Sequence, residues 1–346
     1  MKRRPLSNRI AVVAGATRGA GRGIAAMLGE AGATVYCTGR SVAGRAPASG
    51  HYQGRPETIE QTAAQVTACG GHGIPLRVDH AVESDVRHLA GRVTTEARRL
   101  DILVLDFWGD ESPVPFGEPF WEIPLAAGRS TIDRTLWPHI LTLQLLVPLM
   151  TRTSEQSPQG RPLVVEVNDG PALYYRSSLF YDLAATLRAR LAYAIAEELA
   201  PAGITALAVT PGYLRTEVAL DAHGVTESNW RDAASRDPGW LASESPHLLG
   251  RGIAALAADP HSARLAGGLY GSWVLAREYG VTEDDGSRPD FGQHFKQTYG
   301  ESPAPHRTGA RWRISHETQT VYDKQSGSPG RSKEAVTWQI SQDASR

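Results

Sequence analysis

Lysine is nearly missing from this chain. Only Lys2, Lys296, Lys324 and Lys333 occur in 346 residues, and none lies between Arg3 and Phe295. Any chemistry that needs a lysine ammonium within the body of the chain is excluded. Cysteine is as scarce, with Cys37 and Cys69 alone. Two thiols in an apolar setting make no disulfide framework and fit a reducing, cytoplasmic compartment. An excess of one charge is also lacking, since the formal net charge is −1. That leaves no electrostatic footprint for nucleic acid or an anionic membrane surface. Long apolar runs are absent. The opening Met1-Lys2-Arg3-Arg4-Pro5 is basic, but the apolar stretch after it is short and broken by glycine, so it reads as neither a signal peptide nor a membrane span. No metal site and no internal repeat are read.

What is present is enough apolar residue for a sizeable core, 41% of the chain. The most informative stretch is residues 11–25. The apolar run 10–14 predicts a buried parallel strand, Gly15, Gly19 and Gly21 follow, and Ile24, Met27, Leu28 and Ala31 then recur at helical spacing. Strand, glycine turn and helix N-terminus form a phosphate site. Helix N–H groups point outward unpaired, the dipole favours an anion, and glycine lets the backbone approach it.

Further strands are expected at 34–38, 74–78, 102–105, 162–167 and 205–209, with a seventh at 268–274. Helices are expected at 58–68, 84–100, 131–152, 181–200 and 246–258, the fourth counting the one after the glycine turn being interrupted at Pro138 and Pro148. Loops are expected at 42–56 and 111–128, and a polar segment at 213–245. In the helix at 181–200, Leu183, Leu187, Leu191, Ile195 and Leu199 form a stripe four residues apart. This alternation predicts an α/β fold with a doubly wound parallel sheet in three αβα layers, whose ligands bind at the carboxyl ends of the strands. The chain reads as one domain over 1–285 and a polar, partly disordered C-terminal extension over 286–346.

The order of these features resembles the short-chain dehydrogenase/reductase family over residues 7–280. Ala276-Arg-Glu-Tyr-Gly280 with Asp284-Asp-Gly286 is similar to the subgroup around dehydrogenase/reductase member 1. The resemblance implies a Rossmann-type fold and a nicotinamide cofactor at Gly15, Thr17, Arg18, Gly19, Ala20 and Gly21. It implies that Asp79 contacts the adenine, and that Pro211, Gly212 and Thr216 lie near the nicotinamide amide. An acid at the end of the second strand would favour NAD. Arg40 stands there instead, with Arg18 inside the glycine turn, so NADP (NADPH) is expected.

The catalytic half departs from the family pattern. Tyr181 falls at the family tyrosine, but the lysine expected four residues on is Ala185. The serine position falls at Asn168 or Asp169. The strand-four asparagine pair is Leu105 and Asp106, and the long-helix asparagine falls near Asp133. Arg188, on the same helical face as Tyr181, is read either as a substitute cation or as a partly exposed surface arginine. Candidate catalytic residues are therefore Tyr181, Asn168 and Asp169. Asp106, Asp133 and Glu166 are unassigned carboxylates, and Glu166 stands in a strand expected to be buried on both faces, where an acid needs a partner. Phe107, Trp108, Tyr174 and Tyr175 suggest a wall for a flat or hydrophobic small molecule.

The expected function is an NADP-dependent oxidoreductase of a carbonyl or alcohol with an atypical site. The alternatives are a non-redox lyase or isomerase on the same fold, and an NADP-binding protein with little catalysis. The resemblance also implies a homodimer or homotetramer.

Overall fold

The computed structural model describes residues 4–45, 52–108, 114, 117–156, 160–170, 175 and 178–299. Seven strands form one parallel sheet: β1 (Ile10–Ala14), β2 (Thr34–Gly39), β3 (His72–Arg77), β4 (Ile102–Leu105), β5 (Leu163–Val167), β6 (Thr205–Thr210) and β7 (Leu269–Gly271). Nine α-helices are α1 (Gly19–Glu30), α2 (Ile59–Cys69), α3 (Glu83–Glu96), α4 (Leu125–Gln156), α5 (Leu179–Leu199), α6 (Glu217–His223), α7 (Pro246–Ala258), α8 (Ser272–Tyr279) and α9 (Phe291–Tyr299). The strand order is β3-β2-β1-β4-β5-β6-β7. It reverses between β1 and β4, and a crevice for ligands opens outside the strand ends at such a reversal.

The strands are short runs of branched and small apolar residues. Val12, Val13, Leu103, Val104, Val164, Val165, Ala206 and Leu207 have no or almost no exposed surface. One core layer joins β1, β5 and β6 to α1 and α7, and the other joins the opposite faces to α3, α4 and α5. Central strands covered on both faces read as continuous apolar runs, which is why the sequence marks them clearly.

Three elements differ from the sequence expectation. α4 begins at Leu125, just after Pro124, and continues through Pro138 and Pro148 to Gln156 without interruption. Each proline removes one N–H, but the helix is long and packed against α3 and α5, which offsets those losses. β7 is only Leu269–Gly271, because the following apolar residues form α8, with Trp273, Leu275 and Ala276 buried. A short apolar run does not by itself distinguish strand from buried helix. The polar segment carries α6 and two 3₁₀ turns around a small cluster of Val225, Trp230, Ala233 and Trp240.

The start of the C-terminal extension is helical. Phe291 of α9 packs on Tyr213 and Trp273, and a Cβ at Gly212 would lie 2.4 Å from that of Phe291. Residues 300–346 lie outside the described residues. Among the described residues no helix is long and apolar enough to cross a membrane, and no three His, Cys, Asp or Glu gather as metal ligands.

Candidate functional site

The glycine turn closes against the end of β4. Gly15 has φ +93°, and a Cβ there would stand 2.2 Å from the Asp106 carbonyl oxygen. A Cβ on Gly21 would stand 2.4 Å from the Gly15 carbonyl oxygen. These two positions require glycine for space, and Gly15 also for its backbone conformation. Thr17 is buried and packs under Gly39, where an added Cβ would meet its hydroxyl. Ala20 packs on the core beneath α1.

The first amide of α1 already has an anionic partner. Gly19 N–H donates to the Glu217 carboxylate at 2.8 Å, and Arg22 lies 3.4 Å from its other oxygen. Glu217 begins α6, directly after Thr216, whose hydroxyl caps that helix by accepting from Ala219 N–H. Thr216 is thus a helix cap as well as a member of the turn after β6.

At the end of β2, Arg40 is exposed. Arg18 is half-buried and not available as a bare cation. It donates to Glu57 at 3.2 Å and to the Ser41 hydroxyl at 3.2 Å, and stacks over Tyr52. Arg55 also donates to Glu57, and to Asp221 of α6. Arg55 had no motif to announce it; its role comes from the loop folding back onto Arg18. Asp79 closes a turn into α3, accepting from Ala81 N–H at 3.0 Å while its own N–H donates to Asp85.

The Pro211–Gly212 turn is held from behind by Glu244. Its carboxyl accepts from Gly212 N–H at 3.2 Å and from the Ser272 hydroxyl at 2.7 Å. Its backbone N–H donates to Tyr213 O, and its carbonyl accepts from Arg215 N–H. Burial pushes the Glu244 carboxyl up to about 8.

Two of the three catalytic candidates meet. Tyr181, in the first turn of α5, donates its hydroxyl to Asp169 at 2.8 Å. Its ring lies nearly parallel to Trp108, with centroids 5.2 Å apart. Asn168 continues the β5–β6 pairing through its N–H to Val209 O. Its buried side-chain oxygen has no partner among the described residues.

Arg188 is the surprise of the site. It is a fully buried side chain, not a surface arginine. Its guanidinium lies 4.3 Å from the Trp108 ring centroid, 3.7 Å from Glu166, and donates to Val167 O. Burial pulls its pKa below the usual range, and Glu166, Asp106, Tyr181 and Asp169 oppose that shift. Ala185, at the family lysine position, is fully buried.

Glu166 has its partners too. Its oxygens lie 2.9 and 3.1 Å from His139 Nδ1, and His139 Nε2 lies 2.9 Å from Phe107 O. Phe107 is packed between imidazoles, 4.7 Å from His80 and 4.0 Å from His139. It packs against the core and remains partly exposed. Burial, with His139 beside it, lowers the His80 pKa to about 3, and His80 is held between Thr38 and Thr142. Asp106 has a carboxyl that burial pushes up to about 7, against the pull of Arg188 and of Gly21 N–H. Asp133 is an exposed partner of Arg129 and lies outside this cluster. Tyr175 is exposed, and Tyr174 lies outside the described residues.

Comparison with known proteins identifies the family. The short chain dehydrogenase family pattern matches residues 9–223. Dehydrogenase/reductase SDR family member 1 of Mus musculus is 31% identical over 287 residues, covering 82% of this chain and 85% of the relative. A short chain dehydrogenase from Mycobacterium thermoresistibile has a TM-score of 0.64 at 20% identity, covering 83% of this chain and 93% of that one. One from Mycobacterium paratuberculosis, solved bound to NAD, has a TM-score of 0.59 at 19% identity, covering 77% and 97%. One from Shigella flexneri, solved with NADP, has 0.60 at 17%, covering 78% and 99%. The chain belongs to the short-chain dehydrogenase/reductase family of NAD(P)-using oxidoreductases.

Proposed function

We propose that the chain is an NADP-dependent reductase of a small carbonyl compound, with Tyr181 as the proton donor. The observation that carries this reading is the Tyr181–Asp169 hydrogen bond at the carboxyl end of β5. The cofactor half supports it. Gly15 and Gly21 let the turn close against β4 and itself, and the Gly19 N–H at the start of α1 already binds an anionic oxygen. Gly15, Thr17, Gly19, Ala20 and Gly21 would hold the pyrophosphate. Asp79 would face the adenine side, and Pro211, Gly212 and Thr216 the nicotinamide side. Arg40, not an acid, follows β2, and nearby Arg18 and Arg55 share Glu57, with Arg55 also pairing with Asp221. Guanidinium groups at that end of the sheet favour a 2′-phosphate and hence NADP over NAD.

When bound, the cofactor supplies hydride. The protein supplies the proton and its control. The hydrogen bond to Asp169 fixes the Tyr181 hydroxyl at the carboxyl end of β5, from where in this reading its proton passes to the substrate. In the family pattern a lysine would favour the ionised phenol. Here, among the described residues, the buried Arg188 beside Trp108 carries a positive charge that acts on Tyr181. Arg188 offsets the cost of leaving negative charge on the Tyr181–Asp169 pair after the proton departs. Asn168 lies beside this pair in sequence, with an unpartnered oxygen for a substrate hydroxyl or water. Trp108 gives the pair an apolar face suited to a flat or hydrophobic substrate.

The same Tyr181–Asp169 pair supports a second reading, proton transfer without hydride transfer, as in a lyase or isomerase. The deciding experiment follows NADPH fluorescence and absorbance with a panel of aromatic and aliphatic carbonyl compounds. The proposal expects NADPH to bind and be consumed, and Tyr181→Phe to bind it equally but consume it at least about a hundredfold more slowly. Substrate conversion with no loss of NADPH supports the second reading. Absence of NADPH binding refutes the first.

A homodimer through α4 and α5 is part of the proposal. α5 buries Ala184, Ala185, Arg188, Ala192, Ala196 and Leu199 and packs Leu191 and Ile195 on the core, while Leu183 and Tyr193 are exposed, as are Trp137 and Leu125 of α4. Such a set of large exposed apolar residues is suited to a second copy of the chain.

A further inference from the structure

One short helix carries carboxylates to both ends of the cofactor's anion-binding surface. Glu217, first residue of α6, accepts from Gly19 N–H at the start of α1 and faces Arg22. Asp221, four residues on, pairs with Arg55. The i,i+4 spacing puts the two acids on one face of α6. From Asp221 a line of contacts runs through Arg55, Glu57 and Arg18 to Ser41, which follows Arg40 at the end of β2. The two acids therefore end at the glycine turn and at the arginine group.

The rest of α6 is lightly attached to the nucleotide half. None of its residues is buried. Its apolar residues Ala219 and Leu220 pack instead on the cluster of Val225, Trp230, Ala233 and Trp240. Among the described residues, Glu217 and Asp221 make the polar contacts that join it to α1 and to the loop before α2. A phosphate arriving at either position meets a carboxylate already seated there. Like charges cannot share one set of donors without a large penalty.

We propose that Glu217 and Asp221 are the specificity-determining residues of the cofactor site. Glu217 stands in for the pyrophosphate and Asp221 competes for the 2′-phosphate site, so cofactor binding is an exchange of carboxylate for phosphate that releases α6. This rests on the NADP reading. The two acids divide the cost between them. Every dinucleotide displaces Glu217, whereas only one with a 2′-phosphate gains from taking Arg55 away from Asp221. Glu217 thus sets affinity for both nucleotides alike, and Asp221 sets the preference between them.

The test is a pair of isosteric variants with dissociation constants measured by nucleotide fluorescence. Glu217→Gln should bind NADPH and NADH each about tenfold more tightly than the unaltered protein, the size of a strong carboxylate–helix N-terminus interaction. Asp221→Asn should tighten NADPH by about three- to tenfold and leave NADH within about twofold. Thermal unfolding checks that both variants are folded. Limited proteolysis between β6 and α7 should become faster in Glu217→Gln without nucleotide, since α6 loses its latch. Unchanged or weaker binding by folded Glu217→Gln overturns the proposal. An equal shift of both nucleotides in Asp221→Asn overturns the division of roles. If the unaltered protein binds neither nucleotide but the double variant binds NADPH, the exchange is supported. If the double variant also binds neither, the NADP reading and this proposal fall together.

Discussion

Asp106→Asn separates the charge of the central carboxyl from its shape. An asparagine fills nearly the same volume, and it can still accept from Gly21 N–H. What it cannot do is ionise. In an unfolded chain the aspartate pKa is 3.8, and burial in the fold raises it to about 7. Between those values the folded protein binds a proton that the unfolded chain has released, so stability falls as pH rises through the window from about 4 to about 7. A shift of about three units is worth at most about 4 kcal/mol once the carboxyl is fully charged. Thermal unfolding of a chain this size moves by about 1.5 °C per kcal/mol. Asp106→Asn should therefore melt within a few degrees of the unaltered protein at acid pH and about 6 °C above it beyond neutral pH. Glu244, raised to about 8 by burial, titrates in an overlapping window with the same sign, but it does so in both proteins and cancels from the difference. The assay is differential scanning calorimetry across this range in buffers of equal ionic strength. A melting difference that stays constant with pH would refute the burial argument, because a purely steric effect has no proton linkage.

Arg188→Met should lower stability by about 3–5 kcal/mol, since it leaves Glu166 buried with only His139 beside it. Arg188→Lys keeps the charge but not the planar stack on Trp108 and should fall between the two; denaturant unfolding orders the three proteins, and equal midpoints would show that the pair is not the buried unit described. Arg40→Ala should weaken NADPH binding about tenfold and NADH binding little. Equal loss for both nucleotides in titration would remove Arg40 from any 2′-phosphate site.

Much of the fold was legible because its strands are buried on both faces and leave unbroken runs of valine, leucine and alanine. Residues 10–14 and 102–105 were placed at the bounds observed. The capping box of α2 is equally local, with Thr58 and Gln61 at the diagnostic spacing. Misreadings came where a local rule met tertiary packing. Pro138 and Pro148 read as interruptions, yet α4 is long enough to keep its course through both. The segment after β6 read as simply polar because α6 is short and its apolar partners come from the 3₁₀ turns beyond it. The leucine stripe of α5, compatible with either a subunit interface or a core face, is divided between the two: Leu191, Ile195 and Leu199 pack on the core while Leu183 is exposed.

The site was legible only where its residues sit in a motif. Gly15, Gly21 and Tyr181 could be placed by spacing. Nothing in the spacing pairs His139 with Glu166, Glu217 with Gly19, or Glu244 with Gly212, because each pair is brought together by strands and helices far apart in sequence. Two oddities of the sequence nevertheless turn out to be one arrangement. The chain lacks a lysine one turn after Tyr181, and it carries acids near the central strand ends. A lysine on the Ala185 side of α5 would have to enter a fully buried position. The positive charge instead stands one turn deeper, at Arg188, within reach of Glu166, Asp106, Asp169 and Tyr181. A buried guanidinium requires negative partners, and buried carboxylates require a positive one. Restoring a family-like lysine alone would therefore crowd a second cation against Arg188, while neutral residues at Asp106 and Asp169 would leave Glu166 as the acid facing it. Glu166 and Arg188 are thus the pair that has to be exchanged together for the charge balance of this site to survive.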